Sequence, residues 1–297
     1  MKIRKLANAK IDKTAWDECI SRAENRRVYA LSWYLDSVTG KRWDGLVLDD
    51  YRAVMPLPYV KKAGIRFYMQ PWFCQQLGPF WIHSYPTGLL DAMEKNISSP
   101  FYELNLNSNT RFFPEYKGLE LKPNMVLPLN KKKETLYAAL KTNHRRNLKK
   151  AKKIKPEIKH VGIETYMAFK TENSKILEGK KTGKLENILQ KLHANNALIL
   201  RGVWLKDELL AAVCWIKDFN RLVYFQAASS EKGKKYASAF LLVEEMIETY
   251  ANTHTTLDFE GSQNQGIQRF YRGFGATNES YPVLLSKGMR LVKYIRK

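Results

Sequence analysis

The sequence is poor in three things. It holds three cysteines in 297 residues, Cys19, Cys74 and Cys214, with no C-x-x-C pair and an odd count. That argues against a disulfide framework or a zinc knuckle, and each cysteine is expected as a small buried apolar residue. It has no apolar run near the ~20 residues that carry a helix across a bilayer. Residues 1–16 are polar and basic and lack the apolar centre of a secretory signal, so the cytoplasm is the expected compartment. Acidic residues are also scarce, 29 against 50 Lys plus Arg, giving a net charge of +21. Such an imbalance speaks about partners rather than fold. It suits coenzyme phosphates, RNA, a nucleotide-linked substrate or an acidic membrane, and equally a solubilising basic surface. The five histidines, His83, His144, His160, His193 and His254, show no metal-ligand spacing, and no metal is expected.

What is present fits a globular α/β (α+β) protein. Hydrophobic residues make up 44% and aromatics 12%, too many for a disordered chain. The length suggests two domains. The pattern of elements runs helices, strands, helix and strands up to about residue 129, then repeats that order. The expected units are therefore 1–130 and 131–297, each a mixed, mostly antiparallel sheet flanked by helices. Strands are expected at 197–205, 209–218 and 221–227, with Asp207-Glu208 and Phe219-Asn220 as hairpin turns. Apolar residues at helical spacing from Tyr236 through Ala239, Phe240, Val243, Met246, Ile247 and Tyr250 predict one helix over 236–251. A strand over 255–260, a short helix and a terminal strand follow.

Chemistry-bearing residues concentrate around that helix. Residues 229–236 read as a turn between a strand and a helix N-terminus, where free amides and the helix dipole favour a phosphate. Lys232, Lys234 and Lys235 add charge, and Gly233 supplies backbone freedom. An ordinary surface turn with solvated lysines is the alternative. Asp258 and Glu260, two apart on a strand, would share a face, and a buried carboxylate there would accept a proton from an amine. An edge position or an ion pair is the alternative. Residues 131–155 hold eleven Lys or Arg and one acid, Glu134. On a helix, Lys141, Arg145, Lys149 and Lys152 form a stripe flanked by Arg146, Lys150 and Lys153. Like charges at i, i+4 repel, and a polyanion would relieve them; a solvated face is the plainer reading. The dense aromatics Phe67, Tyr68, Trp72, Phe73, Phe80, Trp81 and Tyr85 suit core first and an acceptor pocket second.

Strand, basic turn, long helix, strand and a short helix ending in an aromatic pair and Gly: this order resembles the acyl-coenzyme A half of the GNAT fold. The stretch Lys234-Lys235-Tyr236-Ala237-Ser238-Ala239 is similar to the GNAT phosphate-binding signature, with Lys234 in place of the usual Arg or Gln and Ala237 in place of the first Gly. The segment 264–275 (NQGIQRFYRGFG) resembles the GNAT segment in which Asn precedes a helix ending in Phe-Tyr; here these are Asn264, Phe270 and Tyr271. Arg145-Arg146-Asn147-Leu148-Lys149-Lys150-Ala151, Leu257-Asp258-Phe259-Glu260-Gly261 and residues 70–80 (QPWFCQQLGPF) are similar to segments of FemAB-like proteins, which carry two GNAT domains in tandem.

The resemblance implies an N-acyltransferase that moves an acyl or aminoacyl group to an amine. The donor would be acyl-coenzyme A, or aminoacyl-tRNA as the alternative. Ala228, Ser229, Gly233, Lys234, Lys235, Tyr236, Ala237, Ala239 and Asn264 would hold it, Tyr271 would protonate the leaving group, and Glu260 or Asp258 would take the amine proton. The first domain, lacking the donor pattern, would shape the acceptor site. A non-catalytic RNA- or anionic-membrane-binding protein on the same scaffold is the competing reading.

Overall fold

The computed structural model describes residues 1–107, 119–174, 180–262 and 264–295. The chain divides into two compact units, Met1–Lys122 with Ser280–Lys297, and Pro123–Glu279.

The first unit starts with strand β1 (Ile3–Ala7), helices α1 (Lys13–Arg22) and α2 (Ser32–Thr39), and strands β2 (Trp43–Leu48), β3 (Ala53–Lys62), β4 (Ile65–Met69) and β5 (Phe80–Trp81). Helix α3 (Leu89–Glu94) and strands β6 (Tyr102–Asn105) and β7 (Glu120–Lys122) follow. Asp12 caps α1, its carboxylate accepting from Thr14 N and Ala15 N at 3.0 Å. Strand β2 is buried along its whole length, and its one carboxylate, Asp44, is held by Lys5, Arg66 and the Tyr68 hydroxyl. Of the aromatic segment, Tyr68, Phe80 and Trp81 are core, whereas Trp72 is 54% exposed.

The second unit opens with β8 (Met125–Pro128), α4 (Lys133–Ala138), α5 (Thr142–Lys153), β9 (Glu157–His160), α6 (Ile163–Glu172) and α7 (Lys180–Ala194). The strands β10 (Leu198–Leu205), β11 (Glu208–Asp218) and β12 (Arg221–Ser229) form the expected meander. Then come α8 (Glu231–Tyr236), α9 (Ala239–Tyr250), β13 (Thr256–Asp258), α10 (Gln265–Gly273) and β14 (Thr277–Asn278). The sheet order is β14-β8-β13-β12-β11-β10-β9, antiparallel except for the parallel pair β12 and β13. Helices α8 and α9 make the crossover that a parallel pair requires. Leu241, Leu242, Val243, Met246 and Ile247 of α9 are buried in the core of this unit with Leu148, Val213, Trp215 and Leu257. Each such side chain contributes roughly 1.5–3 kcal/mol.

The chain then returns. Strand β15 (Tyr281–Leu285) pairs with β6 and β7 in the first unit, and α11 (Lys287–Ile295) follows it. The first sheet therefore runs β1-β2-β3-β4-β6-β15-β7, with β5 on β3. The division expected at 130/131 is corrected twice by strand pairing. β8 was read as closing the first half, yet it bonds β13 in the second sheet. The segment after Glu279, read as the end of the second half, supplies an interior strand to the first.

Candidate active site

The parallel pair β12 and β13 is short. Arg221, Leu222 and Val223 face Thr256, Leu257 and Asp258, and the pairing stops there. From Tyr224 to Ser229, β12 continues with no strand on that side among the described residues. A bulge between Cys214 and Trp215 on one strand and Gln226 and Tyr224 on the other leaves Phe225 as the extra residue, at the point of parting. Bulges of this kind bend a strand and re-aim its side chains. On the other side the chain turns away at Glu260, whose φ is +57°. The two diverging segments and α10 enclose a cavity of about 610 Å3, lined among others by Lys170, Ala228, Ser229, Lys234, Glu260 and Tyr271.

The parting is anchored from below. Arg221, at the start of β12, pairs with Asp258 and lies 3.4 Å from Glu279. Asp258 is 1% exposed, and its other oxygen accepts from Glu260 N at 2.9 Å. The carbonyl of Glu260 accepts from Met125 N at 2.9 Å. The expectation that Asp258 and Glu260 share one strand face is therefore corrected. The strand ends at Asp258, the left-handed residue breaks the alternation, and Glu260 alone reaches the cavity. Asp258 is occupied as the counter-charge of Arg221.

Tyr271 lies on α10, 8% exposed. Its ring stacks on Phe259, with centroids 4.7 Å apart, and meets Tyr224 edge-on at 5.9 Å. Burial, helped by Tyr224, Glu260 and Asp258, pushes its phenol above the usual tyrosine range. No protein hydrogen-bond partner meets its hydroxyl among the described residues. The position of α10 is set by an interlock with α5. His144 Nε2 lies 2.8 Å from Phe270 O, and since a carbonyl carries no proton, Nε2–H is the donor. Lys141 N also donates to Gly273 O at 3.0 Å. The His144 ring fills the space a side chain at Gly273 would occupy, since an added Cβ would sit 1.8 Å from Cε1. Phe274 and Phe240 enclose the ring at centroid distances of 4.7 and 4.9 Å. Burial lowers the His144 pKa against the opposing pull of the Phe270 carbonyl.

The expected phosphate turn takes a different form. Residues 231–236 are the helix α8, capped by Ser230, whose Oγ accepts from Gly233 N at 3.0 Å. The next helix begins at Ala239, not Tyr236, because Ala237 adopts φ +58° between the two. Ala237 N and Ser238 N donate to Lys234 O and Gly233 O, closing α8. Those amides are consumed inside the protein instead of converging on a ligand. Gly233 does not need unusual torsions: an added Cβ there would lie 1.9 Å from Leu210 O, so close approach of α8 to β11 demands the glycine. Of the nine expected donor residues, Ala228, Ser229 and Lys234 line the cavity; Gly233, Lys235, Tyr236, Ala237, Ala239 and Asn264 are not among its lining. Asn264 caps α10, accepting from Gly266 N at 2.8 Å and Ile267 N at 3.2 Å.

Lys170 was not anticipated. It lines the cavity from α6 and is 3% exposed. Its signal in the sequence was a lysine on an apolar helix face, four residues after Tyr166 and three after Met167. The basic helix is as expected in part. Lys141, Arg145, Arg146, Lys149, Lys150 and Lys153 are all exposed. Lys152 instead pairs with Glu244 at 2.8 Å, and Arg145 donates to Ala138 O at 2.9 Å. The three cysteines are free and buried. Among the described residues no group of His, Cys, Asp and Glu is placed to hold a metal, and no helix is long and apolar enough to cross a membrane.

The acetyltransferase (GNAT) domain family matches residues 140–270, which contain the gap, α6 and most of α10. The crystal structure of FemX superposes with a TM-score of 0.68 at 12% identity, covering all of both chains. The chain has a tandem GNAT fold of the FemAB type. A conserved protein of unknown function from Bacteroides thetaiotaomicron matches this tandem GNAT chain at TM-score 0.62 and 11% identity, over 93% of this chain and 98% of that one. L-PGS from Bacillus licheniformis matches at 0.57 and 8%, over 93% and 92%. At these identities the likeness is one of fold. No curated protein matches the chain in sequence.

Proposed function

We propose that this GNAT protein is an N-acyltransferase whose reaction takes place in the gap between β12 and β13. The observation that carries the reading is the gap itself. A strand edge freed at Tyr224 can bind an extended chain by main-chain hydrogen bonds, as an added strand would. Two phenols and one carboxylate, Tyr224, Tyr271 and Glu260, line the same cavity. A thioester or ester donor supplies the activated carbonyl. The acceptor nitrogen forms the new C–N bond, Glu260 takes its proton, and the Tyr271 hydroxyl gives a proton to the departing sulfur or oxygen. Its raised pKa keeps the Tyr271 phenol protonated at neutral pH, so it is present there as a donor and not as a base. Holding both reactants against β12 supplies part of the acceleration. Acyl-coenzyme A is the donor favoured by the GNAT match, with Lys234 on the cavity wall available to its phosphates; aminoacyl-tRNA is the alternative. A cytoplasmic setting fits either.

Mass spectrometry of small molecules that co-purify with the protein reads the donor directly. Tyr271→Phe provides the functional test: turnover falls by about 100-fold, the lower range for loss of a general acid, while donor affinity by calorimetry is unchanged. Undiminished turnover would remove Tyr271 from the mechanism, and absence of any acyl donor binding would remove the enzyme reading.

The cations of α5 favour a second reading, a non-catalytic RNA- or anionic-membrane-binding protein. Lys141, Arg146, Lys149, Lys150 and Lys153 have no ion-pair partner among the described residues. Reversing Lys149, Lys150 and Lys153 to Glu lowers affinity for tRNA and reduces the salt slope by roughly 2 to 3 in log units. Equal affinity of the reversed variant for tRNA and for anionic vesicles would discard a polyanion role for this face.

A further inference from the structure

Lys170 carries a charge that its structural role does not need. Its Nζ donates to Ala227 O at 2.6 Å, one peptide beyond the carbonyl of Gln226, which accepts from Tyr166 OH at 2.9 Å. The two side chains, one turn apart on α6, fasten that helix to consecutive peptides of β12. Tyr166 does this with a neutral hydroxyl, and a neutral donor would serve as well at position 170. An ammonium has three N–H donors, and Ala227 takes one. Among the described residues no carboxylate pairs with Lys170, and burial holds the nearby Cys214 thiol in its neutral form. A buried cation without a counter-charge is disfavoured unless something supplies the partner. Burial depresses Lys170 only to about 8, so it stays mostly protonated at neutral pH. Lys170 helps to line the 610 Å3 cavity.

We propose that Lys170 is the binding point for a carboxylate of the reactant that occupies the gap. The inference rests on the reading of the gap as the reactant site. A carboxylate is favoured over a phosphate because one buried positive charge balances one negative charge, and a phosphate monoester carries nearly two. The carboxylate has two possible sources, the far end of the acyl group or the acceptor that bears the amine, and both present the same oxygens to Nζ.

The test compares the full chain with Lys170→Met, which keeps the length of the side chain and removes its charge. Melting temperature is followed with acetate and succinate, and with their amides as uncharged controls. The wild-type protein is stabilised by the carboxylates and not by the amides, and Lys170→Met loses that response. Equal stabilisation of both proteins, or none of the wild type, overturns the proposal. Should the methionine variant fail to fold, the wild type alone decides: its affinity for succinate falls as pH rises through about 8, and a flat profile overturns the proposal.

Two further arms assign the source. Succinyl- against acetyl-coenzyme A tests the acyl group, and an amino acid against its amide tests the acceptor. In the arm that holds the carboxylate, the wild type shows a preference of about tenfold that the variant lacks. Failure of every coenzyme A thioester to bind counts against the donor assignment, while the small-carboxylate result still decides Lys170.

Discussion

Gly273→Ala tests the interlock that sets the position of Tyr271. The added methyl would lie 1.8 Å from His144 Cε1 and 2.2 Å from both ring nitrogens. Neither group yields easily. The glycine is the last residue of α10, and the imidazole is enclosed by Phe240, Phe270 and Phe274. Either the ring leaves, losing its bond to Phe270 O, or α10 shifts away from α5. Overpacking costs about 1–3 kcal/mol and the lost hydrogen bond about 0.5–1.5, so the variant is expected to lose roughly 2–4 kcal/mol. The assay is urea denaturation, with the midpoint lowered and the slope unchanged. The cause is isolated by repeating the substitution in a His144→Ala background. With the ring gone, the methyl fits, and Gly→Ala in a helix is then neutral or stabilising by up to about 1 kcal/mol. Equal cost in both backgrounds, or a single-variant loss within about 0.5 kcal/mol of zero, would refute the steric argument.

Two other outcomes follow from buried charge. Arg221→Met leaves Asp258 and Glu279 without their cation, and stability measured by chemical denaturation falls by about 3–5 kcal/mol. Because burial lowers the His144 pKa, the unfolded chain binds this proton at a higher pH than the folded one. Stability from this group is intact above about 6.5 and lost as pH falls below it. Urea titrations between pH 8 and 5 read the loss, which His144→Gln removes.

Periodicity and turn chemistry made much of the second unit readable in advance. The meander β10–β12 was expected within a residue or two because its strands are long and its turns are two residues. The 236–251 stripe does bury against the sheet. Its missed break came from Ala237, an alanine in a left-handed conformation that composition does not announce. Residues 229–236 read as a turn for a different reason: a run of lysines with one glycine looks like a loop, whereas Ser230 caps it into a helical turn. Asp258 and Glu260 were separated for a related reason, since spacing of two means one face only while a strand lasts. The domain limits were hidden because strand pairing is long-range. Nothing local in 281–285 reveals that its partners are 103–105 and 120–122.

That return has a consequence for how the molecule is made. β15 sits inside the first sheet, bonded on one side to β6 and on the other to β7. A ribosome delivers it after residues 123–279, so the middle unit can mature while the earlier sheet still waits with two raw edges. Such edges invite pairing with other chains. Any truncation or fusion that delays or displaces residues 281–285 should therefore appear first as loss of soluble yield, before any change in the chemistry of the gap.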